Sequence, residues 1–153
     1  MIALRLVRLI EHHSEQLAEG LMRKLESCDK CKDLHKVPRH EVEERSREIY
    51  QHLSEWLTNK TELDIEHTYR RIAARRFEQG VALSQLYWAF TVTKEHLWEY
   101  LIHEGATESP LELRAGFELI RLMEQFFETA FYYMSLEYDD LLRRDLRRIA
   151  AVV

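Results

Sequence analysis

Two cysteines in the first third of the chain have the spacing of a metal-binding or redox-active pair. Cys28 and Cys31 are separated by two residues, and His35 and His40 follow closely. Thiolates and imidazoles are preferred ligands of Zn²⁺, so these four side chains are a candidate tetrahedral site. Compact structural zinc sites usually separate their two ligand pairs by more residues, and two cysteines are too few for a disulfide framework. We therefore interpret the pair as ordinary loop cysteines in a reducing compartment.

A redox function of the same pair is open but not favoured by its position. Redox-active cysteines are activated at the N-terminus of a helix, normally after a strand. Cys28 instead follows a predicted helix, near the negative end of that helix's dipole.

Two histidines fall among apolar residues of predicted helices and are the candidate cofactor-binding residues. His13 lies on the apolar stripe of the first helix, and His96 has apolar neighbours in the fourth. A single histidine in an all-helical pocket can ligate haem iron, which would make the protein a globin-like haem- or ligand-binding protein. A histidine on an apolar face is more often a core residue with one hydrogen-bond partner. The expectation is therefore that the protein has no cofactor.

Two groups of arginines could contact phosphates, but the surrounding charges argue against nucleic-acid binding. The groups lie at residues 70–76 and 143–148, and a recognition helix would use such side chains on a phosphate backbone. Acidic residues interleave both groups, and the formal net charge is −5. We predict salt-bridged, solvated surfaces and no nucleic-acid partner.

No pattern in the chain predicts catalysis. There is no glycine-rich phosphate loop, no His-Glu-x-x-His pair and no carboxylate cluster with the spacing of a two-metal site. No nucleophile and base can be paired from the sequence. We therefore predict that the chain is not an enzyme by itself and has no catalytic residues.

The composition is that of one helical globular domain. The 153 residues can bury a core, and they include only four glycines and two prolines, with 46% hydrophobic and 32% charged residues. No apolar run approaches the length of a membrane span, and arginines interrupt the N-terminal segment, unlike a secretion signal. We expect a cytoplasmic protein that does not contact a membrane.

The hydrophobic periodicity predicts an all-α antiparallel bundle of about five helices and no strand. Short connections between the segments are typical of neighbouring antiparallel helices. The predicted helices span residues 2–26, 39–59, 64–79, 84–104 and 109–153, with the last one much longer than the others.

The long C-terminal helix has a clear start and no stop signal. Ser109 can cap its first turn, and Pro110 occupies a position where its missing N–H costs nothing. A helix of that length spans about 60 Å, so one end should project beyond the bundle. Residues 1–153 are thus expected to form a single sensory or regulatory domain, whose last 15 or so residues are a candidate linker helix to an output domain.

The fourth and fifth predicted helices are apolar on more than one face. One small bundle does not require that much apolar surface, which favours a homodimer. The side chains assigned to the core or the dimer seam are Tyr87, Trp98, Phe127, Phe131, Met134 and Tyr138.

Residues 70–98 resemble the N-terminal sensor domain of RsbR-type stressosome co-antagonists and of related bacterial histidine kinases. An arginine-rich helix ends in Gly80, and after a short link Ser84 opens a helix with an aromatic face that includes Trp98. The segments 9–17 and 37–39 are also similar to that family.

This resemblance implies a globin-related helical bundle without an obligatory cofactor, usually dimeric. Such domains precede a kinase or an anti-sigma-antagonist output domain and modulate a phosphorylation pathway in the stress response. The family offers no catalytic residues, and the pair of Cys28 and Cys31 is not part of its pattern. The chain is then an isolated sensory domain, or a fragment ending near a boundary, that acts with other signalling proteins or a tethered output domain. The alternatives are a globin-like haem- or ligand-binding protein and a protein-interaction module that senses nothing.

Overall fold

A computed structural model describes residues 3–104 and 109–152, and within these ranges the chain forms helices and no strand. The predicted all-α class with a long C-terminal helix is therefore confirmed. The α-helices are α1 (Leu4–His12), α2 (Ser14–Glu26), α3 (Arg39–Gln51), α4 (Glu62–Glu78), α5 (Leu83–His103) and α6 (Pro110–Val152). A 3₁₀ segment, Asp29–Lys36, links α2 to α3, and a π turn, Glu55–Asn59, precedes α4.

Aromatic side chains from three helices and the π turn fill the centre of the bundle. Tyr69 on α4 contacts Phe126 on α6 with 5.8 Å between ring centroids, and Trp56 of the π turn contacts both rings. Phe90 on α5 lies edge-on to Phe127, at 5.6 Å. Edge-to-face pairs of this kind add to the stabilisation from buried area, so they help to hold the middle of α6 in the core.

The first predicted helix is two helices, because the backbone leaves helical geometry at His13. This residue has φ −108° and ψ 22°, and its main-chain N–H is shared between the carbonyls of Leu9 and Ile10. Its ring Nδ1 also donates to the Leu9 carbonyl oxygen at 2.9 Å. The side chain thus competes with the helix for its own acceptors, an effect that apolar periodicity does not reveal.

The second predicted helix also ends early, at Gln51, and the π turn continues it. The wider turn buries the ring of Trp56, whose Nε1–H donates to Glu48 Oε1 at 3.2 Å. A π turn adds one residue to the helical repeat, so a pattern with a period of 3.6 does not predict it.

Helix starts depend on both local and distant capping side chains. Ser109 caps α6 as predicted, with its Oγ accepting from the N–H of Glu112 at 3.1 Å. Thr61 and Asp64 form a reciprocal capping box, so α4 begins slightly before its predicted start. Ser84 lies inside α5 and does not cap it. Instead, Asp33 of the 3₁₀ segment accepts from the N–H of Ala82 at 2.9 Å, and no local rule detects such a distant partner.

The longest helix, α6, changes its surroundings along its length. Its inward side chains are buried from Ala115 to Leu141. Beyond Leu141, every apolar side chain that the structure describes is exposed. At 1.5 Å per residue α6 extends about 65 Å, and its C-terminal turns are not packed on the rest of the bundle.

Candidate functional site

An exposed apolar surface runs along α5 and the neighbouring part of α6, and we call it the α5–α6 face. On each helix its members are separated by three or four residues or by about two or three helical turns, which keeps them on one side of the helix. It consists of Tyr87, Thr91, Trp98 and Ile102 on α5 and of Leu113, Phe117, Ile120 and Phe131 on α6. Phe117 is 61% exposed, Tyr87 53% and Trp98 37%, which is high for aromatic side chains.

A groove between the two helices forms the middle of this face. It has a volume of about 340 Å³, and its walls include Trp98 from α5 and Ile120 from α6. Lys94 spans it, with Nζ donating to Glu124 Oε2 at 3.1 Å. Apolar walls combined with a few charged side chains are also found at protein interfaces.

The predicted seam is divided by the structure into an inner and an outer group. Phe127, Met134 and Tyr138 are buried in the core, and Tyr138 donates its hydroxyl to the Val81 carbonyl oxygen at 2.7 Å. Phe131 is half-buried beneath Tyr87, with 5.3 Å between their ring centroids. Tyr87 and Trp98 belong to the exposed face, so their assignment to a dimer contact stays a prediction.

Two kinds of residue were not predicted from the sequence. Leu119 and Met123 lie in the core but are absent from the predicted seam, and the exposed Phe117 is absent from it as well. Ile102 and Leu113 were not singled out, although they continue the stripes of the α5–α6 face. The helical spacing of these side chains was readable, but the side of the helix that faces the core was not.

A second exposed stripe lies on the last turns of α6. Its members are separated by three or four residues and share one side of the helix. It consists of Leu142, Leu146, Ile149 and Val152. Within the described residues no helix is long and apolar enough to span a membrane.

The four candidate zinc ligands do not form one group in the structure. Cys31 is fully buried and Cys28 half-buried, whereas His35 and His40 are exposed. In the part of the chain that the structure describes, no three His, Cys, Asp or Glu side chains are grouped as metal ligands. Burial, and then the hydrogen bond to the neighbouring Cys28, raise the pKa of the Cys31 thiol to about 12.

The two candidate haem ligands each bond to a main-chain carbonyl. His13 donates to Leu9 within its own segment. On α5, His96 donates from Nε2 to the Leu17 carbonyl oxygen of α2 at 2.9 Å, while its Nδ1 has no hydrogen-bond partner among the described residues. One nitrogen of each ring therefore makes a structural hydrogen bond, which is local for His13 and joins α5 to α2 for His96.

His96 packs tightly against α2. It borders a cleft of about 380 Å³ between the two helices, and a Cβ added at Gly20 would lie 2.8 Å from its Cε1. Burial, and then the charge of Lys24, lower the pKa of His96 below its ordinary value of 6.5. The surroundings therefore favour the neutral form of the ring, and the space beside it requires glycine at position 20.

Several arginines of the predicted basic patches are paired with carboxylates. Arg76 is buried on α4 and donates to Glu41 on α3 at 2.9 Å, and Arg75 donates to the same carboxylate at 3.0 Å. The hydrogen bond from Arg75, and then that from Gln79, lower the pKa of Glu41 to about 2. The network joins α3 to α4.

A second arginine network joins α4 to α6. Arg70 bonds to Glu66 on its own helix and to Glu137 and Asp140 on α6, at 3.2–3.3 Å. Arg143 on α6 also pairs with Asp140, at 3.7 Å. These side chains hold helices together.

Comparison with known proteins tests the resemblance noted in the sequence. No curated protein and no solved structure shows significant similarity to the chain. Residues 13–149 match the family described as RsbT co-antagonist protein rsbRD N-terminal domain, which covers most of the chain and confirms the resemblance. The chain therefore belongs to the family of RsbT co-antagonist N-terminal domains, and it is a signalling input domain of the stressosome type.

Proposed function

We propose that the chain is a cytoplasmic regulatory domain that dimerises through the α5–α6 face and so modulates a phosphorylation-based signalling pathway. The observation that supports this most directly is the group of exposed apolar side chains on two adjacent helices: Trp98 and Ile102 on α5, and Leu113 and Phe117 on α6. The family name supports the pathway, since its members are co-antagonists of RsbT. The proposed partners are a second copy of the chain and other signalling proteins or a tethered output domain.

The composition of the α5–α6 face supports a second copy as its occupant. Protein interfaces are enriched in aromatic residues at their centre and keep charged residues at the rim. Phe117 and Trp98 supply exposed aromatic area, while Glu95 and Glu124 border the groove. In a two-fold dimer the same patch occurs on both subunits, so each groove meets the other's aromatic side chains.

The long helix α6 can transmit a movement at the α5–α6 face to other parts of a signalling protein. One side of α6 packs in the core, and another side contributes Phe117 to the α5–α6 face. Because α6 is one continuous helix, a shift or rotation at the dimer contact would move its residues 142–152 as well. We propose that this last part of α6 is the linker helix and contacts an output domain or partner.

Regulation, not catalysis, is the activity that we propose. A stimulus changes the signal when it binds one of two packings of the dimer more tightly than the other. The difference in binding free energy between the two packings sets the size of the response. The stimulus acts on α5, on α6 or on an element that contacts them.

Sedimentation velocity over a range of protein concentrations tests the dimer. We expect the unaltered chain to sediment as a dimer, and Phe117→Asp or Ile102→Asp to sediment as a monomer with unchanged helix content. Each change places a charge in the proposed contact, where no partner charge compensates it. Leu63→Asp is the matched control, because Leu63 on α4 is 71% exposed and lies outside the face.

Two results would overturn the proposed contact. The first is an unaltered chain that stays monomeric at all concentrations. The second is that all three aspartate variants remain dimers. A phosphorylation assay in cells then tests the pathway, with Phe117→Asp and Leu63→Asp introduced into the protein that carries this domain. We expect only Phe117→Asp to change the phosphorylation of the stressosome proteins, and equal levels in both variants would contradict the proposed role.

A further inference from the structure

We propose that Cys28 and Cys31 are a reversible disulfide-forming site, which couples oxidation of the 3₁₀ segment to the first turn of α5. The cysteine chemistry stands independently of the dimer, whereas its use as a signal rests on the proposed function. Three features support the site: the turn that joins the two cysteines, their unequal exposure and the contacts of the 3₁₀ segment with α5.

A tight turn places the two side chains next to each other. The N–H of Cys31 donates to the carbonyl oxygen of Cys28 at 3.2 Å. This bond closes a four-residue turn, and the first and last Cα atoms of such a turn are within about 7 Å. That separation falls in the range that disulfides span. The effect of Cys28 on the Cys31 thiol pKa also requires the two sulfur atoms to be neighbours.

The two thiols differ in their access to solvent, and this assigns their roles. Cys28 is half-buried at the position that caps the 3₁₀ segment, whereas Cys31 is fully buried within it. An oxidant from solvent therefore reaches Cys28 first. Cys31 is the thiol that resolves the oxidised sulfur, since it is close to Cys28 and shielded from other reactants.

The reaction requires a peroxide as the oxidant. The Cys28 thiolate attacks one oxygen of hydrogen peroxide, which forms a sulfenic acid, and the other oxygen leaves as water after taking a proton. The Cys31 sulfur then attacks the Cys28 sulfur, and the sulfenic oxygen leaves as a second water with the proton of Cys31. Two thiols lose two electrons in total, and one peroxide is reduced to two waters.

The 3₁₀ segment is bonded to the residues where α5 begins. Asp33 caps α5 by accepting from the N–H of Ala82, and its own N–H donates to the Gln85 side chain. Near the same end of α5, the Lys30 ammonium lies 3.9 Å from the ring centroid of Trp88.

A disulfide between Cys28 and Cys31 would change the contacts between the 3₁₀ segment and the start of α5. Inside the 3₁₀ segment Cys31 has φ −122° and ψ 22°, so its backbone already departs from helical geometry two residues before Asp33. Bringing the sulfur atoms to bonding distance, about 2.05 Å, changes the turn at Cys31 and with it the position of the Asp33 carboxylate. The N-terminal turn of α5 thereby loses part of its cap, and Tyr87 of the α5–α6 face lies one turn further along.

Oxidation of the full chain with hydrogen peroxide, followed by intact-mass measurement, tests the site. We expect the unaltered chain to lose two hydrogen atoms, to remain a single chain on a non-reducing gel, and to recover its thiols with dithiothreitol. In Cys31→Ser the sulfenic acid at Cys28 is expected to persist and to react with dimedone. In Cys28→Ser the buried Cys31 is expected to resist the same treatment.

Hydrogen–deuterium exchange then measures the coupling to α5. We expect the amides of residues 82–86 to exchange several-fold faster in the oxidised chain, and Asp33→Asn to show a smaller change because its cap is already weakened.

Three results would overturn the proposal: two thiols that still alkylate after unfolding, disulfides only between chains, or unchanged exchange at residues 82–86. Because Phe117→Asp should oxidise like the unaltered chain, a failure of the dimer proposal would remain distinguishable from a failure of this one.

Discussion

The two sides of α6 carry the same kinds of side chain but have different surroundings. The inward side is buried and includes Leu119, Met123, Phe127, Met134 and Tyr138. The outward side is exposed and includes Phe117, Tyr132, Leu142, Leu146 and Ile149. The inward side packs on the rest of the bundle, above all on α4 and the aromatic rings around Tyr69. The difference shows that hydrophobicity alone does not separate a core residue from a contact residue, because only the neighbouring helices decide.

Inward and outward side chains of α6 also differ in their contribution to the stability of the folded monomer. Truncating an inward side chain leaves a cavity in the packed core and costs stability. Truncating an outward side chain removes area that is already in contact with water, so the folded monomer loses little. Substitutions of buried side chains should therefore lower the free energy of unfolding more than substitutions of exposed ones.

Phe127→Ala is expected to destabilise the fold most. Phe127 is almost fully buried and packs on Phe90 and Phe126, so its removal should lower the free energy of unfolding by about 3–5 kcal/mol. Urea denaturation followed by circular dichroism measures this change. Phe117→Ala on the outward side is the matched control, with an expected change within about 0.5 kcal/mol for the monomer. Similar losses in both variants would contradict the assignment of the two sides.

Gly20→Ala is expected to loosen the contact between α2 and α5. The new Cβ would lie 2.8 Å from His96 Cε1, so the ring must move away from the Leu17 carbonyl. Overpacking of this kind costs about 1–3 kcal/mol, which thermal and urea unfolding both detect. In a His96→Ala background the same substitution should cost much less, because the clashing ring is absent. An equal cost in both backgrounds would refute this account of the glycine.

The His96 ring is expected to make stability depend on pH below about 6.5. Its pKa is lowered in the folded state, so the unfolded chain binds the proton first as the pH falls, and the free energy of unfolding decreases. Between about pH 7.5 and about pH 5.5 the unaltered chain should lose more stability than His96→Gln. His40→Gln, an exposed control, should keep the unaltered dependence. The same slope in the His96→Gln variant would show that other groups cause it.

Leu146→Ser is expected to have the smallest effect. Leu146 is 65% exposed on the last turns of α6, so the free energy of unfolding should change by no more than about 0.5 kcal/mol. Sedimentation should not change either, because Leu146 lies outside the α5–α6 face. A loss above about 1 kcal/mol, measured by urea denaturation, would show that this end of α6 packs on the bundle.

The elements that the sequence predicted well are those with local signals. The apolar period and the Ser109 cap suffice to predict α6. Gly80, with φ 80°, follows the end of α4, as expected for a glycine that stops a helix. The aromatic helix α5 was also located within one residue at each end. Short-range chemistry determines each of these features, so they can be read from neighbouring residues.

The features that the sequence did not predict depend on contacts between distant residues. Asp33 caps α5 from almost fifty residues away, and the π turn at Trp56 depends on its packing against α4 and α6. The split at His13 depends on a side chain bonding to its own helix. For the candidate site, the spacing of Tyr87 and Trp98 was visible, but their exposure follows only from the way α5 rests on α6.

Chemical cross-linking between two copies of the chain tests the central claim most directly. Cys28 and Cys31 are first replaced by serine, and then either Glu95→Cys, beside the groove, or Glu44→Cys, on α3, is introduced, both positions being exposed. With a short bifunctional maleimide we expect Glu95→Cys to form covalent dimers rapidly and Glu44→Cys to form them only slowly. Equal rates at the two positions, or faster cross-linking through Glu44→Cys, would contradict an α5–α6 dimer.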